Sequence, residues 1–394
     1  MAERIAFVVQ RYGRGGAETL CRVVAEHLAA RYDVTVLTTC ALDHESWANH
    51  FPPGQSVERG VRLIRFPTAS ERARDFQAIS ERTYRGATRE QELAWLRAQG
   101  PHSPALLEHL RREGERYDAF FFVTYLYEPT VLGLPIVADR AALIPTAHDE
   151  PPIRLSIYRE LFRQPRRILY LAPAERRLVE RLFANESIPS ALCSWGLDPA
   201  RPGDGARFRR KHGLEGDLLV YVGRVEESKG CRELVEWTRA LRRRRPVTLA
   251  LLGQNVMGLR AGDGLLPLGF VDEAEKLDAL AAATVFVMPS AYESFSIVSL
   301  EAWQQARPVL GNARSEVVRD HLRASRGGLY YDGPAEYAAA LEYLLDRPEL
   351  RARMGRNGQR YVAENYAWPR VDATYDRVIA DLTRRRTEAP LGTR

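Results

Sequence analysis

Residues 290–302, Ser-Ala-Tyr-Glu-Ser-Phe-Ser-Ile-Val-Ser-Leu-Glu-Ala, place two carboxylates around the start of one helix. An apolar strand at 285–289 runs into a short polar turn holding Glu293, and a helix that begins near Ser296 carries Glu301 in its second turn. The first N–H groups of a helix lack an intrahelical partner and draw anions, phosphate above all. A carboxylate beside an anion site is costly unless it binds something else, such as sugar hydroxyls. The pattern therefore points to a ligand that is part phosphate and part sugar.

A second stretch has the same layout. Residues 220–230, Val-Tyr-Val-Gly-Arg-Val-Glu-Glu-Ser-Lys-Gly, are a strand ending at Gly223 and a basic loop that leads into a helix. Arg224 offers a planar fork to phosphate oxygens and Lys229 a point charge. Lysine is rare here, with only Lys211, Lys229 and Lys276 among 57 Lys+Arg, so compositional drift does not account for a lysine in this loop. The bland alternative pairs Arg224 with Glu226 or Glu227 on the surface.

Gly-Arg-x-x-x-x-Lys-Gly followed about sixty residues later by Glu-x-Phe-x-x-x-x-x-Glu-Ala resembles glycosyltransferase family 4, whose members are retaining, nucleotide-sugar-dependent enzymes of GT-B fold. Gly15-Gly16-Ala17-Glu18 after the first strand also matches, as does 346–355 ahead of Tyr366-Ala367-Trp368. The resemblance is dense over 205–370, thinner over 1–40 and 141–200, and fails over 68–116. It implies two facing Rossmann-like parallel-sheet domains with a deep cleft between them. It also implies a nucleotide-diphosphate sugar (UDP- or GDP-linked) as donor and a sugar, lipid-linked or small-molecule acceptor.

Within that resemblance Arg224 and Lys229 fall to the donor diphosphate, together with the backbone N–H groups of Ser294, Phe295, Ser296 and Ile297. Glu301 falls to the ribose diol, since a carboxylate accepts two hydrogen bonds from neighbouring hydroxyls. Glu293 falls to the donor sugar near the reacting carbon. The alternatives are a helix-dipole partner for Glu301 and an N-cap-type acid for Glu293. His148 matches a family histidine that borders the donor sugar, or else it is a structural histidine at a strand end. Gly15 and Gly16 let the backbone approach the donor. Phe270 and Val271 resemble the family's wall for the nucleotide base. Asp149 and Glu150 are candidates for the acceptor, and Glu18 for the acceptor or a helix cap. The family has glycines where Ser294 and Ser296, Asn255, and Ala313 with Arg314 stand here.

The chain contains no Asp-x-Asp pair of the kind that holds a metal in some transferases, and Arg224, Lys229 and helix N-termini can take over the metal's charge. No metal and no cofactor beyond the donor are expected. A sugar-nucleotide epimerase on the same fold, or a non-catalytic partner that binds nucleotide or lipid, are the competing readings.

The elements that must position these residues follow from the apolar pattern. With 394 residues and 45% hydrophobic content, the chain is long enough for two globular domains. Strands are expected at 5–10, 34–39, 61–66, 119–124, 142–146, 168–172 and 190–195, with helices at 16–31, 127–138 and 174–183. A second set has strands at 219–222, 248–252, 266–270, 285–288, 308–310 and 328–331, with helices at 232–242, 273–281, 297–305, 336–345, 349–363 and 370–385. Alternating strands and helices mean parallel sheets. The motifs all fall just after strands, where open α/β sheets bind ligands. Residues 68–116 read as a helical insertion, whose arginines and Trp95/Leu96 face would dock on a membrane, shape an acceptor pocket or simply pack. Residues 198–213, with Pro199, Pro202, Gly203 and Gly205, read as a linker, giving domains of 1–200 and 201–368 and a final helix that crosses back. The tail 387–394 reads as disordered.

The net charge of +6 and pI near 9.2 fit phosphate-binding loops or a face on anionic lipid, and no nucleic-acid motif accompanies them. No apolar run is long enough to span a membrane and no signal-peptide layout opens the chain. Four scattered cysteines show no metal or redox spacing. A cytoplasmic protein, with peripheral contact at the inner membrane face, is the expectation.

Overall fold

The structure is a computed structural model that describes residues 2–13 and 15–384; the tail at 387–394 lies outside the described residues. It divides into two compact units, Met1–Gly196 with Trp368–Arg394, and Leu197–Ala367.

The first unit is built on an eight-stranded sheet. Its strands are β1 (Arg4–Val8), β2 (Asp33–Thr39), β3 (Gly54–Glu58), β4 (Val61–Phe66), β5 (Ala119–Val123), β6 (Ala141–Ile144), β7 (Arg167–Tyr170) and β8 (Ser190–Leu192). Their order is β3-β4-β2-β1-β5-β6-β7-β8, parallel throughout except for β3 against β4. The central strands read as unbroken apolar runs because helices cover both faces, and Ile5 to Val8 and Ala119 to Val123 are fully buried. Strand β3 escaped the sequence reading for the opposite reason: all five of its residues are exposed, so it carries no apolar alternation. It is held by a two-residue hairpin in which Arg59 (φ 48°) and Gly60 (φ 83°) both take the left-handed conformation that such turns need.

The insertion forms helices Phe76–Tyr84, Arg89–Gln99 and Pro104–Glu113. Trp95, Leu96, Leu106 and Leu110 join the same core as Val8, Phe120 and Phe122. This corrects one expectation: a Trp95/Leu96 face cannot meet a membrane, because both side chains are buried under the sheet's own apolar surface. Arg89 is turned to Glu160 at 2.7 Å. Helix Trp368–Arg384 also belongs to this unit, with Trp368 stacked on His27 at 3.5 Å and Asp372 paired with His27 and Arg31.

The second unit holds β9 (Asp217–Val222), β10 (Val247–Leu252), β11 (Leu265–Gly269), β12 (Val285–Met288), β13 (Val309–Asn312) and β14 (Gly328–Tyr331), all parallel, in the order β11-β10-β9-β12-β13-β14. Counted within the unit this is 3-2-1-4-5-6, the doubly wound order, and its switch point lies between β9 and β12. The stretch expected as a linker contains helix Gly205–His212, capped by Asp204, which accepts from Arg207 N at 2.8 Å. The glycines there serve close packing: a Cβ on Gly203 would collide with Leu277 O, and one on Gly205 would lie 2.7 Å from Ala281 O. A further unexpected helix, Glu316–Ser325, starts at Ser315, whose hydroxyl accepts from Val318 N. No helix among the described residues is long and apolar enough to cross a membrane.

Candidate functional site

The two motif loops meet at the switch point of the second sheet. The loop after β9 runs from Gly223 to Gly230, and the loop after β12 from Pro289 to Ser296. They touch where Gly230, in a left-handed conformation (φ 73°), caps helix Cys231–Arg242; a Cβ there would sit 2.6 Å from Pro289 O. That closeness lets Lys229 Nζ reach Glu293 Oε1 at 3.0 Å, across 64 positions of sequence. Helix Ile297–Gln304 starts beside Glu293, so its unpaired N–H groups, a cation and a carboxylate occupy one small region. Ser296, the residue before this helix, has φ 62°, a conformation that L side chains rarely adopt. Strain of this kind persists only where the surroundings enforce it.

Glu301, one turn further on, is held by a residue the motif reading passed over. Lys276, from helix Glu273–Ala282, donates to Glu301 Oε1 at 2.9 Å and also pairs with Glu273 at 3.0 Å. The other oxygen, Oε2, is buried with no hydrogen-bond partner among the described residues. Burial raises the Glu301 pKa, and the Lys276 ammonium pulls it back. Lys276 feels burial as a downward push, outweighed by Glu301 and Glu273, so its pKa ends above the usual lysine range. Glu301 is thus a carboxylate with one oxygen committed and one left to accept a hydroxyl.

Arg224 is exposed and pairs with Glu226 Oε1 at 3.1 Å, the surface pairing named as the alternative. Glu226 is half-buried and also accepts from Ser228 Oγ at 2.8 Å; Glu227 is exposed and pairs with Arg232. The Phe295 ring cannot line a donor pocket. It is buried against Tyr366 (5.4 Å) and His321 (5.7 Å), leaving only its backbone for a ligand. His321 fixes that backbone: Nε2 stands 3.0 Å from Phe295 O and Nδ1 3.0 Å from Tyr361 Oη, which assigns the Nε2–H tautomer. Burial lowers the His321 pKa to about 4, against the opposing pull of its bond to Phe295. The available sequence signal was weak, a histidine at apolar spacing with Val317, Val318 and Leu322.

The loops after β9, β10 and β11 are laced together by Gly223 N to Leu252 O, Val225 N to Gln254 O and Gly253 N to Gly269 O. Asn255 is taken up by Leu259, accepting from its N–H and donating to its carbonyl. Phe270 follows the turn at Gly269 and is 70% exposed, while Val271 is half-buried.

In the first unit the residues gather at the carboxyl ends of β1, β5 and β6. Gly15 (φ 147°) precedes helix Gly16–Leu28, and a Cβ there would collide with the Glu18 carboxylate; Gly16 has open space. Glu18 is buried and makes no capping bond among the described residues. It pairs with Arg11 Nε at 2.8 Å and accepts from Gln10 Nε2 at 2.9 Å, which corrects the capping alternative. His148 Nε2 lies 3.4 Å from Glu150 Oε2, and Tyr125 Oη donates to Glu150 Oε1 at 2.8 Å. Burial raises the Glu150 pKa, but His148 and Tyr125 outweigh it and the carboxyl ends below its ordinary value. Asp149 points outward to Arg154 at 2.6 Å, away from this network. Beneath it Glu175 accepts from Ala147 N and Leu171 N, both at 2.6 Å, and clamps the base of the His148 loop. Burial pushes its pKa to about 8, opposed by those two N–H groups.

Among the described residues no group of three or more His, Cys, Asp or Glu could hold a metal ion.

Residues 204–361 match the family model for glycosyl transferases group 1. They lie within the second unit and include all of its motif loops. A D-inositol 3-phosphate glycosyltransferase from Frankia alni is 32% identical over 230 residues, covering 52% of this chain and 56% of that protein. One from Kineococcus radiotolerans is 30% identical over 287 residues, covering 64% and 66%. The chain thus spans little more than half the length of the first curated relatives it matches. Among solved structures, sucrose-phosphate synthase from Thermosynechococcus elongatus superposes with a TM-score of 0.71 at 17% identity, over 96% of this chain and 99% of that one. Anabaena Alr3699/HepE, solved with UDP and glucose, gives 0.70 at 15%, over 96% and 100%. The fold is GT-B.

Proposed function

We propose that this protein is a retaining glycosyltransferase of family 4 that moves a sugar from a nucleotide-diphosphate sugar to an acceptor hydroxyl. The observation that carries the reading is the Lys229–Glu293 pair at the β9/β12 switch point, beside the start of helix Ile297–Gln304. Breaking the bond from the anomeric carbon to the diphosphate puts negative charge on the leaving phosphate and positive charge on the ring. In this reading Lys229, Arg224 and the N–H groups of residues 294–297 meet the first charge, and Glu293 the second. A metal is not required for either. Bound diphosphate would draw Lys229 and Arg224 from their present carboxylate partners. Glu301 Oε2 takes a ribose hydroxyl, and Phe270 with Val271 borders the base.

His148 is assigned to the donor sugar, Gly15 and Gly16 to the approach of backbone to the donor, and Glu150, Asp149 and Glu18 to the acceptor. Retention follows if the leaving phosphate itself accepts the acceptor proton and attack comes from the same face. The relatives named as D-inositol 3-phosphate glycosyltransferases support glycosyl transfer, and UDP heads the donors to test because neighbours of this fold were solved with it.

The test is a thermal-shift panel with UDP, GDP, ADP, TDP and CMP, with and without EDTA, in the parent and Arg224→Ala. Binding to the folded state raises Tm by mass action. One diphosphate that raises Tm regardless of EDTA, and less in Arg224→Ala, is the expected result. No response to any nucleotide would overturn the transferase reading, and a β-linked product from an α-linked donor would overturn retention.

A further inference from the structure

The second unit has a basic cavity at the other end of its sheet. Thr284 and Pro308, the residues just before β12 and β13, line it, so it lies about 16 Å along the strand direction from the switch-point loops, at 3.3 Å per residue over the five steps from Thr284 to Pro289. Its volume is about 500 Å³, and its polar wall carries Arg209, Arg307 and Arg351 with no acidic side chain. The rest is alanine, glycine, proline and Thr284.

Two of the guanidinium groups are pinned by neutral partners. Arg209 donates to Gly216 O at 2.8 Å and to Ala282 O at 2.9 Å. Arg351 donates from Nη1 to Leu344 O and Leu345 O at 2.6 and 2.7 Å. Carbonyls orient a guanidinium but leave its charge in place, and each group has five N–H donors, so several remain unspent. The third, Arg307, has no side-chain hydrogen bond or ion pair among the described residues, and its Nε is fully buried.

The backbone that carries Arg307 is nonetheless fixed. Helix Ile297–Gln304 ends in a left-handed Ala306 (φ 54°), with Ala306 N bonded to Trp303 O and Arg307 N to Ala302 O, a Schellman closure. The 19-residue helix Pro348–Tyr366 presses on this turn at Gly355, where a Cβ would collide with Ala306 O. Burial and then the neighbouring Arg209 push the Arg307 pKa down, and no carboxylate offsets them.

Half-buried cations are ordinarily paired, because desolvation without a partner is costly. Three arginines converging on one cavity with no carboxylate leave that cost unmet by the protein. We propose that this cavity is a second anion site, distinct from the switch-point loops, which takes the phosphate group of a small molecule or a lipid headgroup between Arg209, Arg307 and Arg351. Arginine's planar fork suits phosphate oxygens, and the alanine and proline walls suit the apolar part of a phosphate ester. The site does not depend on the transferase reading.

Pyrophosphate and glycerol phosphate serve as soluble probes, with vesicles containing phosphatidic acid as the lipid arm. Both arms are run on the parent, Arg307→Met, Arg224→Ala and the double variant. At ten times Kd the parent's Tm should rise by about 3 °C. The rise should persist in Arg224→Ala, be smaller in Arg307→Met, where the switch-point loops remain to take pyrophosphate, and be lost in the double variant. Without anion, Arg307→Met should melt no lower than the parent, since it loses no partner and sheds an unpaired charge. A pyrophosphate response that depends on Arg307 assigns a soluble ligand. Capture on vesicles that depends on Arg307, without a pyrophosphate response, assigns a headgroup. Equal behaviour of the parent and Arg307→Met in both arms overturns the site. So does an unchanged amide spectrum for Thr284 and Ala306 in the parent on titration with both soluble probes and the vesicle lipid's headgroup.

Discussion

Replacing Lys276 with methionine strands Glu301, and the size of the effect can be worked out. The two side chains are each 18% exposed and meet at 2.9 Å. Burial holds the Glu301 pKa up, and Lys276 is the charge that brings it down. In Lys276→Met the carboxyl would rather fold protonated than sit charged without a partner. The ceiling on the cost is then that of neutralising a carboxyl of ordinary pKa about 4.3 at pH 7, or about 3.7 kcal/mol. The sign follows from proton binding. The folded variant keeps a proton that the unfolded chain releases above about pH 4.3, so the loss grows with pH, and its ceiling at pH 5 is only about 1 kcal/mol.

Glu301→Gln should cost less, because Lys276 keeps Glu273 at 3.0 Å. Urea denaturation of the parent, both single variants and the double variant, at pH 7 and pH 5, gives the coupling energy, expected at about 1–3 kcal/mol at pH 7. A Lys276→Met loss that is the same at both pH values, or a coupling below about 0.5 kcal/mol at pH 7, would refute the claim that Lys276 holds Glu301 ionised.

Lys229→Ala should lower kcat/KM by about 10²–10³-fold, the usual effect of removing one donor from developing transition-state charge, and should abolish the nucleotide-diphosphate thermal shift; steady-state kinetics with the donor found by the panel checks it. His321 folds neutral, with its pKa lowered to about 4, so the stability of the second unit should be full above about pH 6.5 and fall by about 3 kcal/mol as pH drops through 4; His321→Gln should flatten that slope in pH-resolved denaturation. Glu175 acts with the opposite sign: its pKa is raised to about 8, so its contribution to the first unit is full below about pH 4.5 and is lost as pH rises through 8. Glu175→Gln should remove that dependence and cost about 1–3 kcal/mol, since an amide NH₂ must then face Ala147 N or Leu171 N; hydrogen exchange at Ala147 reads the loosened His148 loop.

What the sequence determined by itself was everything that local pattern encodes. Unbroken apolar runs such as 119–123 announced buried parallel strands, because a strand covered on both faces must be apolar throughout. Gly230, Lys229 and Glu293 were legible because a loop between a strand and a helix exposes chemistry at fixed offsets. Strand β3 was not legible, since an exposed edge needs no apolar residue, and helix Gly205–His212 was masked by glycines that serve packing against Leu277 and Ala281.

Only the tertiary structure could decide partnerships. Lys276 reaches Glu301 across 25 positions and Lys229 reaches Glu293 across 64, and His321 anchors Phe295 from 26 positions away. The cavity of Arg209, Arg307 and Arg351 joins three arginines in a chain full of them, none marked by its neighbours in sequence. Charge pairing and burial are properties of distances in space, and a linear pattern records them only when the partners share one strand, helix or turn.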